Sequence, residues 1–176
     1  MMITDLSPPP RRRLTPRQAL LYGTLTVGVL DILDAFVFFG VRGVAPTRIL
    51  HAIAAGVLGG EAARGGGAAT AALGLLLHFC IAFGVVATYF AASRFIPALA
   101  RNPWVYGPLY GLAVYFVMNL IVVPLSAAAS GGSPPMPVLV NGLLIHALGV
   151  GLPSALSARA AARPEERSSS PALASE

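Results

Sequence analysis

Two stretches of this chain carry no charged side chain: twenty-nine residues from Gly65 to Ser93 and fifty-seven from Asn102 to Ala158. A helix crosses a hydrocarbon layer of about 30 Å with roughly 20 mostly apolar residues, so the first stretch holds one crossing and the second holds two. An earlier apolar run, Ala19 to Val41, supplies another. The pattern predicts spans at about 19–41, 70–92, 104–125 and 138–157, the last two parted by the Ala, Gly, Ser and Pro of 126–137. Arg94, Pro97, Arg101 and Pro103 fall in the short turn after the second span, which predicts that spans two and three are antiparallel neighbours. Pro124 and Pro153 are expected to kink their helices.

Between the first two spans, Pro46 to Gly59 is about fourteen residues long and too short to cross. Pro46 suits a first helical turn. Arg48 and His51, three apart, share a face with Ile49, Leu50, Ile53 and Val57 opposite or flanking, which predicts a helix lying in the interface or tucked against the bundle. Residues 1–18 and 159–176 are rich in Pro, Ser and Arg and read as disordered tails. The expected fold is therefore all-α: an integral membrane four-helix bundle over 19–158, with a short interfacial helix at about 46–59.

Composition agrees, with 56% hydrophobic and 11% charged residues and a mean hydropathy of +0.74. In 176 residues there is no room for a separate soluble catalytic domain, so any chemistry sits among the helices. A pI of about 10.1 raises the question of nucleic acid. The twelve arginines answer it, because they cluster at the ends of apolar segments and not along one solvated face, so the bilayer is the expected partner. With both termini cytoplasmic, nine arginines face inward and Arg42, Arg48 and Arg64 face outward, which favours N-in, C-in. Tyr22, Tyr89, Trp104, Tyr106 and Tyr110 fall at the same cytoplasmic ends. A secretory signal does not fit a first span this long that holds two aspartates. The single cysteine, Cys80, reads as a small buried apolar residue.

Those aspartates set the candidate chemistry. Asp31 and Asp34 each oppose insertion by roughly 2.5 to 3.5 kcal/mol, while thirteen Leu, Ile, Val and Phe between Leu20 and Val41 return roughly 0.3 to 0.6 apiece. The sums nearly cancel, so the acids are expected to face the interior, pair with other polar groups or hold a proton. Positions three, four and seven apart draw a small-residue stripe on each span. The first gives Thr24, Gly28, Asp31, Asp34 and Ala35; the second gives Ala71, Gly74, His78, Ala82, Val85 and Tyr89. The third gives Gly111, Tyr115 and Asn119, and the fourth gives Gly142, His146, Gly149 and Pro153. Asp31, Asp34, His78, Asn119 and His146 fall near mid-depth and are expected to converge. Asn141 lies well round the helix from His146 and reads as helix glue. Each polar group also has a plainer role in interhelical hydrogen bonding.

Other chemistries lack a motif. Two Asp and two His suit zinc by type, but no H-E-x-x-H or C-x-x-C occurs, so no metal or other cofactor is expected. There is no P-loop, G-x-G-x-x-G or G-x-S-x-G, and an intramembrane enzyme has no nucleophile here. Gly107 with Gly111, and Gly56 with Gly60, have the small-xxx-small spacing of helix packing.

Several segments carry a likeness to known proteins: Gly28-Val-Leu-Asp31-Ile-Leu-Asp34-Ala, Leu76-Leu-His78-Phe with Tyr89, Tyr115-Phe-Val-Met-Asn119 with Pro124-Leu-Ser126, and Asn141-Gly-Leu-Leu-Ile-His146. Over about residues 20–158 the chain resembles an uncharacterised family of small bacterial four-span inner-membrane proteins, loosely of the YagU type. The resemblance implies a multi-pass protein of the bacterial inner membrane and no settled activity. The leading expectation is translocation or sensing of protons or a small solute through Asp31, Asp34, His78 and His146. The alternative is a non-catalytic structural or partner-binding subunit, its partner a second copy or another membrane protein, with the Arg48 and His51 helix meeting lipid or that partner.

Overall fold

The computed structural model describes residues 13–128 and 134–162. Four helices in it are long and apolar enough to cross a membrane: α1 (Pro16–Gly40), α4 (Gly67–Phe95), α6 (Pro103–Leu125) and α7 (Met136–Ala161). Three shorter helices join them: α2 (Pro46–Leu58), α3 (Gly60–Gly65) and α5 (Pro97–Arg101). No strand occurs among the described residues, and the fold is an all-α four-helix bundle.

Local chemistry sets the ends. The Thr15 hydroxyl accepts from Gln18 N at 3.2 Å and the Gln18 side chain accepts from Thr15 N at 3.0 Å, a reciprocal cap that starts α1 with Pro16 in its first turn. At the other end of the chain, Leu14 N donates to Ala160 O at 3.2 Å and an Arg13 guanidinium N–H donates to Ala162 O at 3.2 Å. Residues 13–18 and 159–162 are therefore built into the bundle, where Pro and Arg content predicts tail; capping and end-to-end bonding outweigh composition there. The rest of both expected tails lies outside the described residues. Gly59, with φ at +77°, turns the chain between α2 and α3.

The core is made of small residues. Val27, Ala82, Val86 and Val150 form its centre, and Tyr89 with Ala155 and Ala158 forms a second cluster toward the termini. Large apolar side chains such as Val37, Leu76, Phe83, Leu109, Leu120 and Leu144 are exposed, the inverse of a soluble protein and the arrangement of helices that pack closely and face lipid. Cys80 is exposed as well, on the outer face of α4 and outside the core expected for it.

α1 packs on α4 and α7, and α6 packs on α7. Spans two and three, α4 and α6, touch as expected, though less extensively than α6 and α7 do. α6 meets α4 through Tyr110, whose hydroxyl donates to Val85 O at 2.7 Å and whose ring meets Tyr89 edge-on at 4.9 Å. Between α6 and α7 the backbones touch. A Cβ on Gly107 would lie 2.9 Å from Leu152 Cα, and one on Gly151 would lie 2.8 Å from Gly111 Cα. The Gly107 and Gly111 pair is thus an interhelical contact. Gly56 and Gly60 are not such a pair, since Gly59 breaks the helix between them.

Pro124 and Pro153 are each preceded by a wider turn, which Pro108, earlier in α6, is not. Met118–Val122 in α6 and His146–Gly151 in α7 are π-helical. Proline removes the donor to the carbonyl four residues back and its ring crowds that carbonyl. For Pro124 and Pro153 those carbonyls belong to Leu120 and Gly149, both inside the π segments. The expected kinks are thus met by widened turns that accommodate each ring.

α2 lies against α4. A Cβ on Gly74 would come within 2.8 Å of the Leu50 carbonyl carbon, and the His51 Nε2–H donates to Gly67 O at 2.9 Å. Ala127 N donates to Gly56 O at 3.0 Å, tying the end of α6 to the same helix. Arg48 is exposed on α2.

Candidate functional site

Depth in the bundle brings the polar groups level before any side chain is considered. Counted from the ends that face α2, Asp31 is nine residues into α1, His78 eleven into α4 and His146 ten into α7. At 1.5 Å per residue all three lie about 15 Å from that face. Asp34 and Asn141, six and five residues in, form a shallower layer.

In the deeper layer, Asp31 Oδ2 lies 3.9 Å from His78 Nδ1. The His78 side chain is 11% exposed and that of Asp31 29%, so the imidazole is enclosed and the carboxyl stands at a more open edge. His78 Nε2 is 2.8 Å from the Gly28 carbonyl of α1. A carbonyl only accepts, so Nε2 carries the hydrogen, and in the neutral ring the Nδ1 lone pair is the nitrogen beside Asp31. Gly28 makes this approach feasible: a Cβ there would lie 2.6 Å from Cδ1 of Phe79, whose ring stands edge-on to His78. His146 is also within electrostatic reach of Asp31, as is Asp34. Its Nδ1–H donates to Gly142 O at 2.9 Å, and its ring meets that of Tyr115 at 5.3 Å.

In the shallower layer, Asn141 Nδ2 donates to Asp34 Oδ2 at 2.7 Å, joining α1 to α7. Sequence spacing set Asn141 aside because it lies well round α7 from His146. Both nevertheless serve α1, at different depths: Asn141 meets one aspartate and His146 approaches the other. Matching depth, with Asn141 five residues from one span end and Asp34 six from the other, is the signal that finds it. Tyr115 was placed on a stripe but not in the site, and its ring packs on His146 across the space left by Gly142.

Asn119 stays outside. Its side-chain amide donates to Tyr115 O of its own helix at 2.9 Å and the residue is exposed. The π segment beginning at Met118 adds residues to the turn and carries Asn119 off the line of Gly111 and Tyr115. Arg48 and His51 lie on α2, apart from the aspartates. Among the described residues no three His, Cys, Asp or Glu side chains converge as a metal-holding group.

The arrangement can hold and pass a proton. At 3.9 Å the Asp31 and His78 pair is too long for a direct hydrogen bond and suits one bridging water or a small rotation. Compared with family models, curated proteins and solved structures, the chain finds no match.

Proposed function

We infer that this is a multi-pass membrane protein that moves or senses protons, or a small solute coupled to them, through the Asp31 layer. What supports the reading is the Asp31 and His78 pair: a partly exposed carboxyl 3.9 Å from the lone-pair nitrogen of an enclosed imidazole. Ionisable groups at mid-depth in a bundle of apolar helices oppose insertion and are typically kept for function. Asp31 takes a proton from the more open side and His78 Nδ1 receives it, with His146 within electrostatic reach of the carboxyl. Asp34 is held beside the relay by Asn141.

The place we propose is the inner membrane of a bacterium, with both chain ends facing the cytoplasm. The nine-to-three division of arginines supports that orientation, and α2 then lies at the opposite face, in the interface.

The test is reconstitution into liposomes with an internal pH-sensitive dye. The native chain is expected to respond to an imposed pH step, Asp31→Asn to lose most of that response, and His78→Gln to lose it likewise. Equal responses from native protein and folded Asp31→Asn refute the relay and leave a structural or partner-binding subunit, for which the direct Asp34 and Asn141 bond already provides the glue.

A further inference from the structure

A cavity of about 530 Å³ opens at the end of the bundle where α4 and α7 finish. Phe90, Ser93 and Ala158 line it together with Arg94, Arg101 and Arg159, and the lining comes from α4, α5 and α7. Its volume falls within the roughly 300–1,000 Å³ that small-molecule sites occupy. All three arginines are exposed. Among the described residues no acidic side chain lines it.

Each arginine has a simpler local reason to be there, since Arg94 and Arg159 sit in the last turns of α4 and α7 and complement the negative ends of those helices. Two helix ends together bring about one negative charge. Arg94 and Arg159 by themselves exceed it. The surroundings are apolar: Phe95 and Ile96, which follow Arg94 directly, are 86% and 53% exposed, and Trp104 is 67% exposed. A basic mouth edged by exposed apolar side chains matches a molecule with an anionic head and hydrocarbon tails. A free phosphate would use the first feature and leave the second unexplained.

We propose that this cavity binds the phosphate headgroup of an anionic phospholipid, with Arg94 and Arg159 as its principal contacts and the acyl chains lying along Phe95 and Ile96. Guanidinium groups suit the task because their planar donors match phosphate oxygens two at a time. The site is separate from the aspartates and stands whether or not they carry protons.

The experiment is native mass spectrometry of the full chain released from mixed micelles of phosphatidylcholine and phosphatidylglycerol, with retained lipids counted. Phosphatidylglycerol is expected to be retained in preference to phosphatidylcholine by tenfold or more. An arginine near an anionic surface strengthens attraction by about fivefold, so the double variant Arg94→Gln/Arg159→Gln should lose about 25-fold. The Arg94→Lys/Arg159→Lys variant keeps the charge and should recover much of the retention, which separates lost binding from lost fold. Arg48→Gln, on α2, should change nothing. Inorganic phosphate at millimolar concentration should leave the lipid bound. Equal retention of both lipids by the native chain overturns the proposal, as does unchanged retention in the Gln variant or displacement of phosphatidylglycerol by inorganic phosphate.

Discussion

Replacing Gly111 with alanine tests the closest contact in the bundle and, through it, the candidate site. A Cβ at Gly111 would lie 2.6 Å from the His146 carbonyl carbon and 3.0 Å from Ala147 Cα, whereas ordinary van der Waals contact begins at 3.4 Å. Moving the carbonyl carbon from 2.6 to 3.4 Å alone requires α6 and α7 to part by about 0.8 Å, and the His146 carbonyl oxygen, which lies closer still, requires more. Both opposing atoms are main chain, so no rotamer change absorbs the shift. Overpacking of this kind costs about 1–3 kcal/mol, with the upper end expected where nothing can yield. Alanine returns about 1 kcal/mol through its better helix propensity, leaving a net loss of about 2 kcal/mol. Gly84, on α4, has nothing within 4 Å of its Cβ position, so Gly84→Ala carries the propensity gain alone. Unfolding in mixed micelles by increasing sodium dodecyl sulfate, followed by circular dichroism, should show a lower midpoint for Gly111→Ala and an equal or higher one for Gly84→Ala. Because the displaced backbone is that of His146, the Gly111 variant should also weaken the dye response attributed to the Asp31 layer. Equal midpoints for the two variants would refute the close crossing.

Two further outcomes follow from the same geometry. A double-mutant cycle with Asp34→Ala and Asn141→Ala should give a coupling of about 1 kcal/mol, within the range of hydrogen bonds between membrane helices, and additive single effects would mean that the 2.7 Å bond contributes nothing. In a Cys80→Ala background, an impermeant maleimide applied outside intact cells should label Glu61→Cys and not Thr15→Cys; the reverse pattern inverts the proposed orientation.

Much of this fold could be read from the chain, and the misreadings share a physical origin. The four spans follow from hydropathy alone, and the start of the first was also legible, because Thr15-Pro-Arg-Gln18 has the spacing of a capping box. The stripe on α4 was drawn at three, four and seven and so picked Val85. The buried line instead runs Ala71, Gly74, His78, Ala82, Val86, Tyr89 and Ser93, with Ala71, Ala82 and Ser93 recurring every eleven residues. An eleven-residue repeat corresponds to about 3.67 residues per turn, so its contact line drifts to the other side of a heptad line and buries Val86. On α6 the stripe holds at Gly111 and Tyr115 and fails at Asn119 for a related reason. Face assignment assumes 3.6 residues per turn, and the π segments break that count after Val117 and Ile145. That is why Asn119 left the expected cluster. Asp31, His78 and His146 were legible because mid-depth polar residues survive small errors of rotation. Asn141 was missed because rotation was weighed and depth was not.

The bond between Leu14 and Ala160 sets the start of α1 and the end of α7 side by side at one face of the bundle. A short linker joining residue 162 directly to residue 13, with the backbone cut between α6 and α7, would yield a circularly permuted protein that keeps every helix contact described. Four is an even number of spans, so the new ends would again share a face, now the one beside α2. Reporter domains could therefore be carried on whichever side of the membrane an experiment requires without touching the helices themselves.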